Sequence, residues 1–174
     1  MKIVFISDFF KSDLVGGAEL NDSVLIGFLQ KYHEVQLVHS KNLKPEDVVN
    51  NEYFIVSNFA NVPINLIKLL ETKKYIIYEH DHKYVSNRNP SQFVNFTIPK
   101  HLIINKRFYQ NAHKVFVLSK ICKKVIEDNL EINNVINIGT SLWSEKDLSF
   151  IESIKYFTLS NDMLGSRIPM STRS

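Results

Sequence analysis

The sequence predicts an α/β domain on a doubly wound parallel sheet, and three observations carry that expectation. Short runs rich in Ile, Val, Phe and Tyr recur along the chain, segments of helical period separate them, and the runs show little alternation of apolar with polar residues. Strand–helix alternation gives a parallel sheet covered by helices, and strands buried on both faces lose the two-residue alternation of a half-exposed strand.

The elements follow in order. Lys2–Ser7 reads as a central buried strand. In the first helix Leu20, Val24 and Phe28 lie four apart, with Leu25, Leu29 and Tyr32 on the same side, so this stripe is expected to face the core. Strands Glu34–His39 and Tyr53–Ser57 come next. Pro63 suits the first position of a helix over Ile64–Glu71, because its missing N–H would have no partner there. After the strand Tyr75–Glu79, Pro99 opens a helix running to about Asn111. Val115–Ser119 leads into a helix over Lys120–Leu130, whose Ile121, Cys122, Val125, Ile126 and Leu130 form one stripe, and Val135–Ile138 is the last strand. Lysine, frequent up to Lys155, is absent beyond it, which sets a domain of residues 1–155 and an irregular tail over 156–174.

Composition removes several function classes. The single cysteine, Cys122, excludes an intramolecular disulfide and a Cys-based zinc cluster, with a cytoplasmic location as the default. A net charge of +3, its lysines scattered among acids, does not make the concentrated basic face of a nucleic-acid binder. No apolar run approaches a membrane span, and Asp8 comes too soon after the start for a signal peptide. A basic amphipathic helix around Lys100–Asn111, with Lys100, Lys106 and Arg107 beside Leu102 and Phe108, fits either weak contact with a membrane surface or a core helix with a wet basic side.

In a doubly wound sheet ligands bind at the carboxyl ends of the strands, so the loops that follow strands matter most. The loop after the first strand ends in Gly16-Gly17, two of only five glycines, immediately before a helix whose first N–H groups and dipole suit a phosphate or a sugar hydroxyl. A flexible loop is the plain alternative. Neither the dinucleotide fingerprint nor a P-loop is present. After the fourth strand comes His80-Asp81-His82, followed by the polar stretch Val85–Asn95. In an extended segment His80 and His82 point one way and Asp81 the other. Hydrogen bonding to sugar hydroxyls suits this triplet better than metal binding, for which a third ligand is wanting; a solvated loop is the remaining alternative. Strands one and four are expected to flank the switch point, which would bring Gly16, Gly17, His80 and Val85–Asn95 into one cleft.

Taken together, these residues resemble the retaining GT-B glycosyltransferases of the large family that includes sucrose-phosphate synthases and bacterial mannosyltransferases. The resemblance rests on Lys2–Ser7 followed by Gly16-Gly17-Ala18-Glu19, on His80 after the fourth strand, and on Val115–Ser119, a helix, then Val135-Ile136-Asn137-Ile138-Gly139. Tyr78–Pro90 and Ser141-Leu142-Trp143-Ser144 are similar to a branch in phage and bacterial sequences. It covers about residues 1–150 and implies the Rossmann-like, acceptor-side half of a GT-B enzyme. That enzyme would transfer sugar from a nucleotide-sugar, with no other cofactor and no metal, to a sugar, lipid or protein acceptor. His80 and Asp81 take the catalytic roles by this resemblance, and Gly16, Gly17, Glu19, His82, Arg88 and Ser119 contact substrates. The family's donor-gripping half, with its glutamates eight apart, is expected to be missing or on a separate chain. Glu71 and Glu79 have that spacing but end a helix and a strand instead of bracketing a loop. The rivals are a non-catalytic carbohydrate- or nucleotide-binding module and a doubly wound signalling domain, the latter favoured by an acidic pocket around Asp8.

Overall fold

The computed structural model describes residues 1–139 and 141–154. They fall into two units, Met1 to Leu142 and a second beginning at Trp143. The irregular tail expected over 156–174 lies outside the described residues.

In the first unit, strands β1 (Lys2–Ser7), β2 (Glu34–His39), β3 (Tyr53–Val56), β4 (Lys74–Tyr78), β5 (Lys114–Val117) and β6 (Val135–Asn137) form one sheet. Its order is β2-β1-β3-β4-β5-β6 and every pairing is parallel. Helices α1 (Gly17–Leu29), α2 (Pro45–Val49), α3 (Ile64–Leu70), α4 (Lys106–Asn111) and α5 (Lys120–Leu130) connect them. The fold is the Rossmann-like α/β sheet that the sequence predicts, with each expected strand found within a residue or two. In the second unit, residues 145–154 are helical. No helix among the described residues is long and apolar enough to cross a membrane.

Strand pleating divides the core in two. Ile3, Phe5, Ile55 and Tyr78 point to the face covered by α1 through Ile26. Val4, Ile6, Val56, Ile77 and Val117 point to the other, where α2 to α5 contribute Val48, Leu70, Phe108 and Ile126. Each fully buried aliphatic side chain contributes about 1.5–3 kcal/mol against exposure, so the four-helix face holds most of the apolar stabilisation.

Four expectations need correction. First, β1 is interior but second in the order, and the chain turns back across it, so the switch point lies between β1 and β3 instead of beside β4. Second, the expected stripe on α1 faces the core only in part: Leu25 and Leu29 pack against it, whereas Leu20, Phe28 and Tyr32 are exposed. The buried face of α1 is Glu19, Asp22 and Ile26, flanked by Asn21. A crossover helix runs antiparallel to its strands, so the first half of α1 lies over their polar carboxyl ends, and only the second half meets the apolar core.

Third, the helix expected from Pro99 to Asn111 is two pieces, a 3-10 turn at Lys100–Leu102 and α4, separated by Asn105 at φ 56° in the left-handed region. There is therefore no continuous basic amphipathic helix; Leu102 and Ile103 pack on the core and Phe108 is buried. Fourth, Val85–Asn95 is not a free polar loop. Val85 bridges Ile103 antiparallel and is buried in the four-helix core, and Pro90 is buried too. Ser86 N–H to Leu102 C=O (3.0 Å) and Ile104 N–H to Tyr84 C=O (2.8 Å) tie the ends of this excursion together.

Candidate functional site

Two polar clusters stand at the carboxyl edge, one on each side of the sheet. On the α1 side, Ser7, Ser57 and His80 share one pleat direction, because each follows its strand's α1-facing residues at even spacing. All three converge on Asp22 of α1, which is 1% exposed. Ser57 Oγ–H donates at 2.8 Å, Ser7 Oγ–H at 3.2 Å and His80 Nε2–H at 3.2 Å. A carboxylate only accepts, so this contact places the ring hydrogen of His80 on Nε2 and leaves Nδ1 for another partner. The ring also lies edge-on to Tyr78, centroids 4.3 Å apart, and only 4% of the side chain is exposed. Next to it Asn21 Oδ1 accepts from Leu142 N–H at 2.6 Å, and its amide donates to Gly17 C=O at 2.8 Å.

Gly16 and Gly17 begin α1 in different ways. Gly16 is its N-cap, with extended backbone at φ −126°. A methyl group on Gly16 would overlap the Glu19 carboxylate, whereas Gly17 has open space around its Cα. Glu19, three residues along, is 6% exposed. Asp8, at the end of β1, is not an open acidic pocket. Its carboxylate accepts from the Ser40 hydroxyl and from Ala60 and Asn61 N–H (3.0 and 3.1 Å), tying together the loops after β1, β2 and β3.

On the four-helix side, Glu79 is buried with Lys83, whose ammonium is 3.2 Å away, both side chains 2% exposed. Tyr109 O–H and Asp81 N–H also donate to Glu79. Burial pushes the carboxyl up, but the Lys83 ammonium and these donors outweigh it and hold the group at about 2. Asp81 is partly exposed, 3.7 Å from Lys83 and 3.9 Å from Arg88.

His82 turns away from His80. Its backbone is left-handed (φ 55°), which breaks the extended alternation, so the expectation that the two rings share a side is corrected. Its Nδ1 meets Tyr84 Oη at 3.0 Å, and its Nε2 lies 4.0 Å from the Cys122 thiol on the first turn of α5, which Ser119 caps. The His82 contact lowers the thiol's pKa, burial raises it, and Ser119 lowers it further, the net being downward. Cys122 is therefore expected to react with iodoacetamide at a rate whose pH midpoint lies below that of an unperturbed thiol. In His82→Ala the midpoint moves up; an unshifted midpoint would show that the imidazole does not activate the thiol.

The structure thus brings Gly16, Gly17, Glu19 and His80 together around α1. Asp81, His82, Arg88 and Ser119 belong to the opposite side, and Val85 with them. Glu71 and Glu79 form separate ion pairs, with Arg107 and Lys83. Sequence reasoning misses Asp22, Ser7 and Ser57. The signal for Asp22 is its spacing of three from Glu19 and four from Ile26, which makes one helix face. A further concavity of about 440 Å³, lined by Phe96, Ile121, Val125 and the lysines Lys120 and Lys124, lies between the excursion and α5; of the residues expected in the cleft it contains only Asn95, the last of the Val85–Asn95 stretch. Among the described residues no group of three or more His, Cys, Asp or Glu is placed to hold a metal ion. Comparison with protein-family models finds no match, and comparison with curated proteins finds none either.

Proposed function

We propose that this chain is the acceptor-side half of a glycosyltransferase of the retaining GT-B kind, acting with a nucleotide-sugar as co-substrate. The observation that carries the reading is the convergence of Ser7, Ser57 and His80 on Asp22, beside the start of α1 and at the carboxyl edge where α/β sheets take ligands. Asp22 orients the imidazole and fixes its hydrogen on Nε2, so the edge of His80 that remains can accept a hydrogen bond from a sugar hydroxyl. Gly17, without a side chain, lets a ligand approach the first amides of α1. Asp81, held by Lys83 and Arg88, is the partly exposed carboxylate of the neighbouring loop and takes the acceptor hydroxyl in this reading. The acceptor is a sugar, lipid or protein. The family's donor-gripping half supplies the groups for the diphosphate, and charge stabilisation of this kind is worth about 10²- to 10³-fold per donor.

The test is calorimetric titration of the purified chain with a set of nucleotide-sugars, alongside measurement of nucleotide release. Binding without turnover by these 174 residues is expected, weakened at least tenfold in Asp22→Asn. Absence of binding to every nucleotide-sugar and neutral sugar would refute the proposal. Sugar binding that no donor or acceptor combination, with any second half supplied, converts to transfer would favour a non-catalytic carbohydrate- or nucleotide-binding module.

A further inference from the structure

We infer that Asn58 anchors a subsite for a neutral sugar at the switch point between β1 and β3, its carboxamide accepting from one sugar hydroxyl and donating to the next. The inference rests on the glycosyltransferase reading above and narrows the acceptor to a sugar.

Position and hydrogen bonding coincide at this residue. Asp8, Asn58 and Glu79 each stand two residues beyond the paired row Ile6, Val56 and Ile77, so the three come level across β1, β3 and β4. Ser57 N–H still donates to Ile6 C=O at 2.9 Å, and its hydroxyl faces Asp22 on the α1 side. Alternation therefore turns Asn58 to the four-helix side, the direction of Val56 two residues before it. Asn58 is 6% exposed, yet its Oδ1 is buried without a hydrogen-bond partner, and among the described residues Nδ2 donates to no acceptor. A buried carboxamide in this condition is costly unless something supplies its partners.

The neighbours cannot supply them, and their charge decides what can. Carboxylates only accept, and one stands on either side. Asp8 is engaged by Ser40, Ala60 and Asn61, and Glu79 by Lys83, Tyr109 and Asp81 N–H. The bonds from Ala60 and Asn61 also pin the loop that carries Asn58, so the carboxamide is held in place for what meets it. Two carboxylates repel a phosphate at short range. The Lys83 ammonium faces Glu79 and Asp81 and is not free to offset that repulsion. A ligand ammonium would give up its hydration for carboxylates already engaged by other donors. Adjacent hydroxyls of a sugar meet the requirement without charge, one donating to Oδ1 and the next accepting from Nδ2. The switch point is also where sheets of this class take their ligands.

The test follows the side-chain amide resonances of Asn58 in the ¹⁵N-labelled chain. The probes are D-glucose, D-mannose and D-galactose, each compared with inorganic phosphate at equal concentration. At least one hexose is expected to shift the Asn58 NH₂ pair saturably, while phosphate leaves it unmoved. Asn58→Leu, of similar volume, and Asn58→Ala each weaken that hexose about tenfold, read at the backbone amides of Ser57 and Phe59. At least one of the two variants keeps or raises the urea midpoint of the chain without sugar, because the amide has no internal bond to lose. A lowered midpoint in both would show that the carboxamide is bonded within the fold and would overturn the inference. So would phosphate shifts at Asn58, or unchanged hexose affinity in both variants. Hexose shifts at Gly17 or His80 with Asn58 silent would sink the subsite and leave the proposed function standing. Silence of the whole carboxyl edge towards all three hexoses also removes the subsite, and the nucleotide-sugar titration then judges the function separately.

Discussion

Lys83→Met is expected to destabilise the fold by about 3–5 kcal/mol, the cost of leaving one charge of a buried pair without its partner. Both side chains of the Lys83–Glu79 pair are 2% exposed, and Tyr109 and Asp81 donate to the same carboxylate. Acid should reproduce part of the effect without mutation. Glu79 is held at about 2 in the fold against an ordinary 4.5. A depressed pKa adds stability that is complete above about pH 4.5 and is lost as pH falls towards 2, in total about 3 kcal/mol. Urea denaturation across that window measures it. In Lys83→Met the ammonium is gone and burial dominates, so Glu79 protonates at higher pH and the acid-sensitive window moves up. The double variant Lys83→Met/Glu79→Gln should recover much of the loss. An unchanged denaturation midpoint in Lys83→Met would show that the pair is not closed in solution.

Asp22→Ala is the second large effect. It orphans three buried donors at once, Ser7, Ser57 and His80. Each unsatisfied group costs about 1–3 kcal/mol, and sharing one cavity that water can enter makes the sum sub-additive. A loss of about 3 kcal/mol is expected by chemical denaturation, against about 1 kcal/mol for Ser57→Ala. The imidazole ¹⁵N shifts of His80 supply a readout that unfolding energy does not. In the parent chain they should report hydrogen on Nε2, and in Asp22→Ala a mixture of tautomers. A single tautomer in both would remove Asp22 from any part in orienting the ring.

The strands were legible because their Ile-, Val- and Phe-rich runs are bounded by turn residues and, in the interior strands β1, β3 and β4, largely buried on both faces. The α1 face was not. An apolar stripe through Leu20, Val24 and Phe28 satisfies the helical period as well as the true stripe through Glu19, Asp22 and Ile26, one residue away. Period alone chooses the more apolar stripe; burial at the carboxyl edge, where Ser7 and Ser57 offer hydroxyls, chose the polar one. His80 was legible as the first residue after a strand, whereas Asp22 becomes visible only when three strands that are distant in sequence are set side by side. The separation of His82 from His80 depends on a left-handed residue that is not glycine, and no local signal in the sequence marks it. Asn105 likewise interrupts a helix whose composition favours continuation.

The parallel pairing has a consequence for how the chain comes off the ribosome. Every strand pair of the sheet joins residues at least 20 positions apart, and among the described residues these pairs include no hairpin that could serve as an early nucleus. Partner strands so distant make folding slow, because loop closure must be met before pairing returns anything. β1 is synthesised first and yet waits for β2 on one side and β3 on the other. The Asp8 carboxylate has its last donors only when Ala60 and Asn61 have left the exit tunnel. At about 5–20 residues per second, the apolar first strand therefore stays uncovered for several seconds in each round of synthesis. That interval is when a nascent-chain chaperone would find it.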